Sequence, residues 1–386
     1  MDRRRIPATI PVPRTIQEGQ LTYNPNWKLC FFRKPAALTV FLDLRCTLTL
    51  QYTYIELLGS MGSIIGTEPT DSAMQEYLQS LPRMNMEPLW TRMSAMVPPS
   101  PNPACQPHLW SYSDCHPFLS QAGNLVTEQM AERRVLMLVN PSMKAPHTTD
   151  TLYGGLQWVN PGEVAPAHRH IAYAARFIIE GNGFTAVEGK KMPLARGDVV
   201  VTPTWHWHDH GNESDDPVVW LDVLNLPLFT YLPVNFAENY EKDRYPSVED
   251  PSADWRHPWQ KTQTILDETK EPHAIFHYRN SRGLPLSTTI GVQAERVGPS
   301  SSSKPSQDVS SFLYHCYSGK GHSVITPPNG EQKSIYWHGR DTFAVPAWSK
   351  VQHFNESSTE PAYLVGFHDG PFLDNLGLRA SMAAAE

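Results

Sequence analysis

The chain has 386 residues, a formal charge of −7, and five cysteines (Cys30, Cys46, Cys105, Cys115 and Cys316) with no C-x-x-C spacing. That length permits two domains or one large double barrel, and a mildly acidic chain without a basic block excludes nucleic-acid binding as a first reading. The odd cysteine count reads as a reduced, cytoplasmic protein, and the basic residues 1–5 are followed by Pro7, Pro11 and Pro13 rather than by the apolar core of a signal peptide.

Residues 1–28 are Pro-rich and polar and read as a loose arm. Residues 38–65 are apolar, but Asp43, Arg45 and Glu56 interrupt them. No uncharged run reaches the ~20 residues of a membrane span, so no membrane partner is expected. Residues 70–98 read as helix, with Asp71 or Ser72 as cap and Met74, Tyr77, Leu78 and Leu81 at helical spacing. The VPPSPNPACQPHLW run reads as a surface linker, and residues 111–130 as a second helical stretch. From RVLMLVN (134–140) onward the pattern changes to short strands, next at 152–159 and, after the histidine region, at 218–224. Many short strands divided by Gly and Pro turns predict an all-β barrel or jelly roll.

Histidines mark the chemistry. His168 and His170 are one residue apart, and on a strand positions i and i+2 share a face, so both imidazoles can reach one ion. A third ligand must come from another strand. Gly181, Gly183, Gly189 and Gly197 allow the intervening turns, and residues 174–180 and 198–202 have strand composition. Pro203 suits a strand end, after which His206, His208 and His210 share one face. The bland reading is a surface or core pair, or a structural zinc site.

Gly162-x5-His168-x-His170 with Gly181, and Gly197-x5-Pro203 with His208 and Asn212, resemble the two cupin motifs. That alignment selects His208 as the third ligand. Where the general motif carries a ligating Glu this chain has Ala174, so the ion would have three neutral ligands and several open positions, which suits Fe(II). The fuller wording TLYGGLQWVNPGEVAPAHRH, ARFIIEG, GDVVVTP, WHDHGN and VVWLDVLNLPL resembles the gentisate 1,2-dioxygenase family, with its salicylate and 1-hydroxy-2-naphthoate relatives. The resemblance implies a bicupin, two double-stranded β-helix (jelly-roll) barrels behind an N-terminal helical region. Its parts would be a helical and linker region at 70–132, a metal-bearing cupin at 133–235, and a cupin without ligands at 236–386. It also implies one Fe(II) per chain and a hydroxylated aromatic acid, gentisate first, as partner to dioxygen. The carboxylate and phenolate oxygens would chelate iron, cleavage would fall between the carbons that carry them, and the chain would form a homo-oligomer, a tetramer or dimer. A non-catalytic ligand-binding cupin is the rival class. Residues 1–69 stand outside the resemblance, and we read 29–69 as translated intron or a wrongly joined exon. A mature transcript encoding 29–69 intact would end that idea.

The resemblance implies a substrate pocket. Gln157 precedes the H-x-H strand and could hydrogen-bond a substrate oxygen. Arg176 could hold a carboxylate bidentately; its bland reading is a buried salt bridge. Of the adjacent pair, Arg133 is favoured over Arg134 as a carboxylate binder, leaving the other as a solvated surface charge. His210 could act on a substrate hydroxyl or on dioxygen. Asp222, in an apolar strand, needs a partner, and His210 is the natural one. Tyr153 and Gly155 shape the pocket, Tyr153 being equally plausible as core. The remainder from about residue 235 holds a second set of strands that reads as an internal repeat. It places Ser306 and Asp308 at the H-x-H positions, Val351 at the position of His208 and His353 at that of His210.

Overall fold

The computed structural model describes residues 33–34, 37–38, 71–131 and 133–379. Helix α1 (Asp71–Ser80) lies in one compact unit, residues 1–91, and everything that follows in a second, residues 92–386. The second unit begins with strand β1 (His108–Trp110), helix α2 (Tyr112–Leu125) and strand β2 (Val135–Met137). The first barrel is built from β3 (Tyr153–Val159), β4 (Val164–His170), β5 (Ala174–Glu180), β6 (Gly183–Val187), β7 (Lys190–Leu194), β8 (Val199–Thr202), β9 (His208–Gly211) and β10 (Val218–Leu224). Three short strands complete it: β11 (Ala237–Asn239), β12 (Val248–Glu249) and β13 (Arg256–His257). After helix α3 (Trp259–Glu268) comes the second barrel: β14 (His273–His277), β15 (Gly291–Val297), β16 (Ser306–Gln307), β17 (Phe312–Ser318), β18 (Lys320–Thr326), β19 (Lys333–His338), β20 (Thr342–Val345), β21 (Lys350–Asn355) and β22 (Ala362–His368).

Each barrel consists of two sheets. The first pairs them as β13-β8-β5-β10-β3-β2 and β11-β4-β9-β6-β7-β12; the second as β14-β15-β22-β17-β20-β1 and β16-β21-β18-β19. The strands of the long sheets are apolar on both faces because each face meets a different core. On β5, Ala175, Phe177 and Ile179 point outward; on β10, Val219, Leu221 and Val223 do the same. They pack against Leu313, Val365 and Phe367 of the second barrel and against Leu119 and Trp259 of α2 and α3, so the sheet of β5 and β10 and the sheet of β17 and β22 stand back to back. The alternate residues, Ile178, Val200 and Trp220, turn inward onto Val187, Met192 and Leu194 of the opposing sheet. Each fully buried aliphatic or aromatic side chain contributes about 1.5–3 kcal/mol. The inward register is the one that carries Tyr153, Gly155, Gln157, Arg176 and Asp222.

The bicupin expectation holds, and the details differ at three places. The helix expected over 70–98 stops at Ser80 and continues as short 3-10 and helical turns, because Pro82, Pro88 and the left-handed Asn85 (φ 52°) break it. The expected apolar stripe is only partly covered: Met74 and Tyr77 are exposed, Leu78 is half-buried and Leu81 is buried. The boundary drawn after residue 235 falls inside a segment that belongs to the first barrel. Buried Asp209 accepts from Arg244 Nε (2.8 Å) and Tyr245 N (3.0 Å), and buried Asp198 from Arg256 Nε (2.8 Å) and Trp259 N (3.0 Å), which binds 237–259 to β8 and β9. The reading of 29–69 as foreign lies outside the described residues, apart from a two-residue ladder between Arg33–Lys34 and Ala37–Leu38. No described helix is long and apolar enough to cross a membrane.

Two motif glycines separate conformational strain from crowding. Gly162 (φ +79°) has no atom within 4 Å of an added Cβ, whereas at Gly181 (φ +73°) that Cβ would lie 2.1 Å from the Pro217 carbonyl oxygen. Gly162→Ala is expected to cost about 1–2 kcal/mol of strain. Gly181→Ala adds overpacking, for about 2–5 kcal/mol. Chemical denaturation of both variants checks this, and equal losses would contradict it.

Candidate metal centre

His168 and His170 alternate onto one face of β4, and the antiparallel β4–β9 ladder sets His208 directly opposite His168. Each Nδ1 faces a backbone carbonyl: His168 to Pro166 (2.9 Å), His170 to Ala172 (2.7 Å) and His208 to His206 (2.8 Å). A carbonyl only accepts, so each Nδ1 carries the proton and each Nε2 keeps its lone pair. The ring centroids of His168 and His170 stand 4.1 and 4.9 Å from that of His208, and one nitrogen from each ring lies within 4.8 Å of the others. His208 Nε2 is buried with no hydrogen-bond partner among the described residues, which would cost about 1–3 kcal/mol if nothing bound there.

Burial, helped by Arg133 and His170, holds His168 down to about 2. Burial and Arg176 hold His170 down to about 4, and burial, with His168 and His210 beside it, depresses His208 well below the usual histidine range. All three are neutral at neutral pH, the state in which imidazole binds metal. Three neutral nitrogens with no carboxylate suit Fe, Zn, Cu or Ni rather than Mg or Ca. Among the described residues no other three such donors converge. His206 stays outside the group, its Nδ1 bound to the Thr204 carbonyl.

A cavity of about 400 Å³ adjoins His168 and His170. Tyr153, Gln157, Arg176 and Asp222 line it from the inward face of β3, β5 and β10. Gly155, on the same face, leaves room for Tyr153: a Cβ there would lie 2.6 Å from the tyrosine Oη and from Val135 Cγ1. Arg133 lines the cavity. Arg134, expected as a solvated charge if it was not the binder, is instead buried. It pairs with Glu163 and donates to the Gly123 (3.1 Å) and Val126 (2.9 Å) carbonyls, because consecutive residues of an extended chain face opposite ways.

The expected Asp222–His210 pair does not form. In the β5–β10 ladder Asp222 stands opposite Arg176, and Arg176 Nε lies 2.8 Å from the carboxylate while its Nη1 donates to Thr202 Oγ1 at 2.7 Å. Trp220 Nε1 donates to the same carboxylate at 3.1 Å. Burial pushes Asp222 above its usual value, against the pull of Arg176 and the Trp220 bond. Arg176 is thus a buried salt bridge and a cavity wall at once. His210 belongs to the other sheet, where its Nδ1 meets Thr185 Oγ1 at 2.9 Å; its ring stands 5.4 Å from that of His208 rather than on the cavity wall. Sequence reasoning missed the far wall, Leu224, Leu226, Asn235, Phe236 and Ala237. The apolar LNLPL run signalled the first part of it; nothing in the spacing signalled Phe236.

Residues 155–224 match the model of the cupin domain. Gentisate 1,2-dioxygenase 1 of Aquipseudomonas alcaligenes is 33% identical over 331 residues, which cover 78% of this chain and 94% of that protein. The chain belongs to the gentisate 1,2-dioxygenase family. A 5-aminosalicylate 1,2-dioxygenase of Comamonas sp. is 31% identical, over 80% of this chain and 89% of its own. Among solved structures, the gentisate adduct of salicylate 1,2-dioxygenase from Pseudoaminobacter salicylatoxidans superposes with a TM-score of 0.72 at 26% identity, covering 82% of this chain and 94% of that one. In this member of the family the second barrel repeats the frame of the first without its three clustered histidines. Ser306 pairs with Val351 as His168 pairs with His208, and His353 Nδ1 meets Ser323 Oγ at 2.7 Å as His210 meets Thr185.

His168→Ala, His170→Ala and His208→Ala are each expected to lose most bound metal, because two imidazoles hold a divalent ion poorly against chelators. His206→Ala is expected to keep it. Metal analysis of the purified variants decides, and metal retained in His208→Ala would overturn the ligand set.

Proposed function

We propose that this ring-cleaving dioxygenase holds one Fe(II) per chain on His168, His170 and His208 and opens the ring of gentisate to give maleylpyruvate. The observation that carries the reading is the juxtaposition of three orientated imidazoles with a cavity whose charged lining includes Arg133 and Arg176. When bound, Fe(II) supplies the one-electron chemistry that dioxygen needs to react with a closed-shell ring. The chain does the rest. Arg133 and Arg176 take the substrate carboxylate, and Asp222 aims the Arg176 guanidinium. The Gln157 side-chain amide, whose Nε2 is buried without a partner among the described residues, meets a ring oxygen. His210 is kept neutral by burial and then by the charge of Arg176. Its Nε2, buried beside His208 with no partner among the described residues, can take up a proton at the metal face, although its ring does not line the cavity. The apolar wall of Leu224, Leu226 and Phe236 shields the ring from water. Free Cys105, Cys115 and Cys316 support a reducing, cytoplasmic setting, and the family resemblance supports a homo-oligomer. The salicylate and hydroxynaphthoate relatives define the second reading of the substrate.

Iron-loaded protein is expected to consume dioxygen with gentisate, at one iron per chain. No uptake with gentisate would refute the substrate assignment, and two irons per chain would refute the silent second barrel. Arg133→Gln is expected to lower kcat/KM roughly ten- to a hundredfold with iron and fold retained, the loss of one charge-assisted hydrogen bond of about 1.5–3 kcal/mol.

Arg176→Gln leaves a buried Asp222 carboxylate unpaired, so it is expected to lose about 3–5 kcal/mol of stability as well as activity. Adding Asp222→Asn should return stability but not turnover. If the double variant turns over normally, Arg176 only braces the sheet. His210→Gln is expected to keep its iron and to fall in kcat more than in KM; an unchanged kcat would remove His210 from the proton path.

A further inference from the structure

We infer that the second barrel retains a working ligand chamber of inverted polarity, fitted to a single aromatic ring that bears hydroxyl or amino donors and no carboxylate. Its cavity of about 260 Å³ lies on the inner side of β15, β17 and β21, where the first barrel keeps its metal centre. That is just under the roughly 300–1,000 Å³ of pockets for drug-sized ligands and suits one ring.

The ladders show what replaced what. Glu295 stands where the first barrel has Gln157, Tyr314 where it has Arg176, and Ser306 and Val351 where it has His168 and His208. Asp308, two residues after Ser306, takes the place of His170. An amide, a guanidinium and three imidazoles have thus given way to two carboxylates, a phenol, a hydroxyl and an apolar side chain. Glu295 is buried and accepts from His273 Nε2 (2.8 Å), Gln293 Nε2 (2.7 Å) and Tyr314 Oη (3.0 Å). Burial pushes its carboxyl up, but the hydrogen bond from His273 and the neighbouring His353 outweigh it and hold it at about 2. Asp308 is anchored by Arg379 at 2.8 Å, and Arg379 also serves Asp374 at 3.0 Å. Lys304 reaches the cavity only at its exposed rim. Two carboxylates face this chamber, and the His273 and Arg379 side chains beside them are already engaged with them, so an aromatic acid would meet carboxylates rather than the arginines that line the first cavity.

What remains available suits a neutral donor. A carboxylate has about four acceptor sites, and Glu295 has three filled. Ser349, 3% exposed and lining the cavity, has a hydroxyl with no hydrogen-bond partner among the described residues, an unmet demand of the kind a bound group satisfies. Phe312 and Tyr314, stacked at 5.3 Å, form with Val345 and Val351 an apolar wall for a ring face.

Calorimetric titration of the metal-loaded protein with hydroquinone tests this, because hydroquinone has two donors, no charge at neutral pH and no adjacent oxygens with which to chelate iron. One hydroquinone per chain is expected to bind, with an affinity that excess benzoate leaves unchanged. Ser349→Met, which fills the chamber, is expected to weaken it at least tenfold, and Ser349→Ala about fivefold, the loss of one neutral hydrogen bond of about 1 kcal/mol. Both should keep wild-type dioxygenase turnover, and Arg133→Gln, on the other cavity, should keep wild-type hydroquinone binding. If Ser349→Met fails to fold, Ser349→Ala carries the test. Absence of hydroquinone binding, insensitivity to Ser349→Ala, loss in Arg133→Gln, or displacement by benzoate would each overturn the chamber.

Discussion

The site depends on three hydrogen bonds between imidazole Nδ1 atoms and backbone carbonyls two residues away. They fix the tautomer and the rotation of each ring, so the Nε2 lone pairs meet at one place before any ion arrives. The carbonyls are themselves fixed by the β4–β9 ladder and by the turn entering β9, where Trp205 sits in the left-handed region (φ 62°) and its N–H donates to the His170 carbonyl at 2.8 Å. Desolvation then keeps the rings uncharged. Backbone register, not side-chain flexibility, sets where the ligands point.

How much of this could be read from the chain depends on whether the information is local. Strand limits followed from the period of apolar residues, and the inward set on β3, β5 and β10 followed from alternation once one member was placed. The convergence of His168, His170 and His208 followed from i, i+2 spacing plus a motif. Partner identity did not, since the neighbour of Asp222 is decided by the register of β5 against β10, and no residue count between Arg176 and Asp222 encodes it. For the same reason Arg134 could not be recognised as a buried brace: its partner Glu163 lies on a turn beyond β3. The segment 237–257 was assigned by proximity to the second barrel, because strands of two or three residues leave no periodic trace.

The second barrel shows what the frame requires. Trp348 repeats the left-handed geometry of Trp205 at φ 63°. Asn355 Nδ2 donates to the Val297 and Glu360 carbonyls as Asn212 Nδ2 donates to those of Val159 and Asp216. These capping contacts persist although the positions of all three clustered histidines have changed. The barrel is held by its apolar walls and its asparagine braces, so the inner positions were free to diverge in charge without loss of the scaffold.

Strand β1 precedes the first barrel in the chain yet completes the sheet of the second, pairing Trp110 with Thr342 and His108 with Ala344. Strands β11 to β13 lie beyond the first barrel yet edge its sheets. Neither barrel is therefore a severable module. A cut after residue 235 would leave one fragment with uncovered sheet edges beside its histidines and the other with a bare edge at β20, and an open β edge is a template for aggregation. The second barrel cannot be trimmed away to give a smaller catalyst, because its removal would strip β1 of its ladder and the first sheet of the apolar surface on which Phe177 and Leu221 rest.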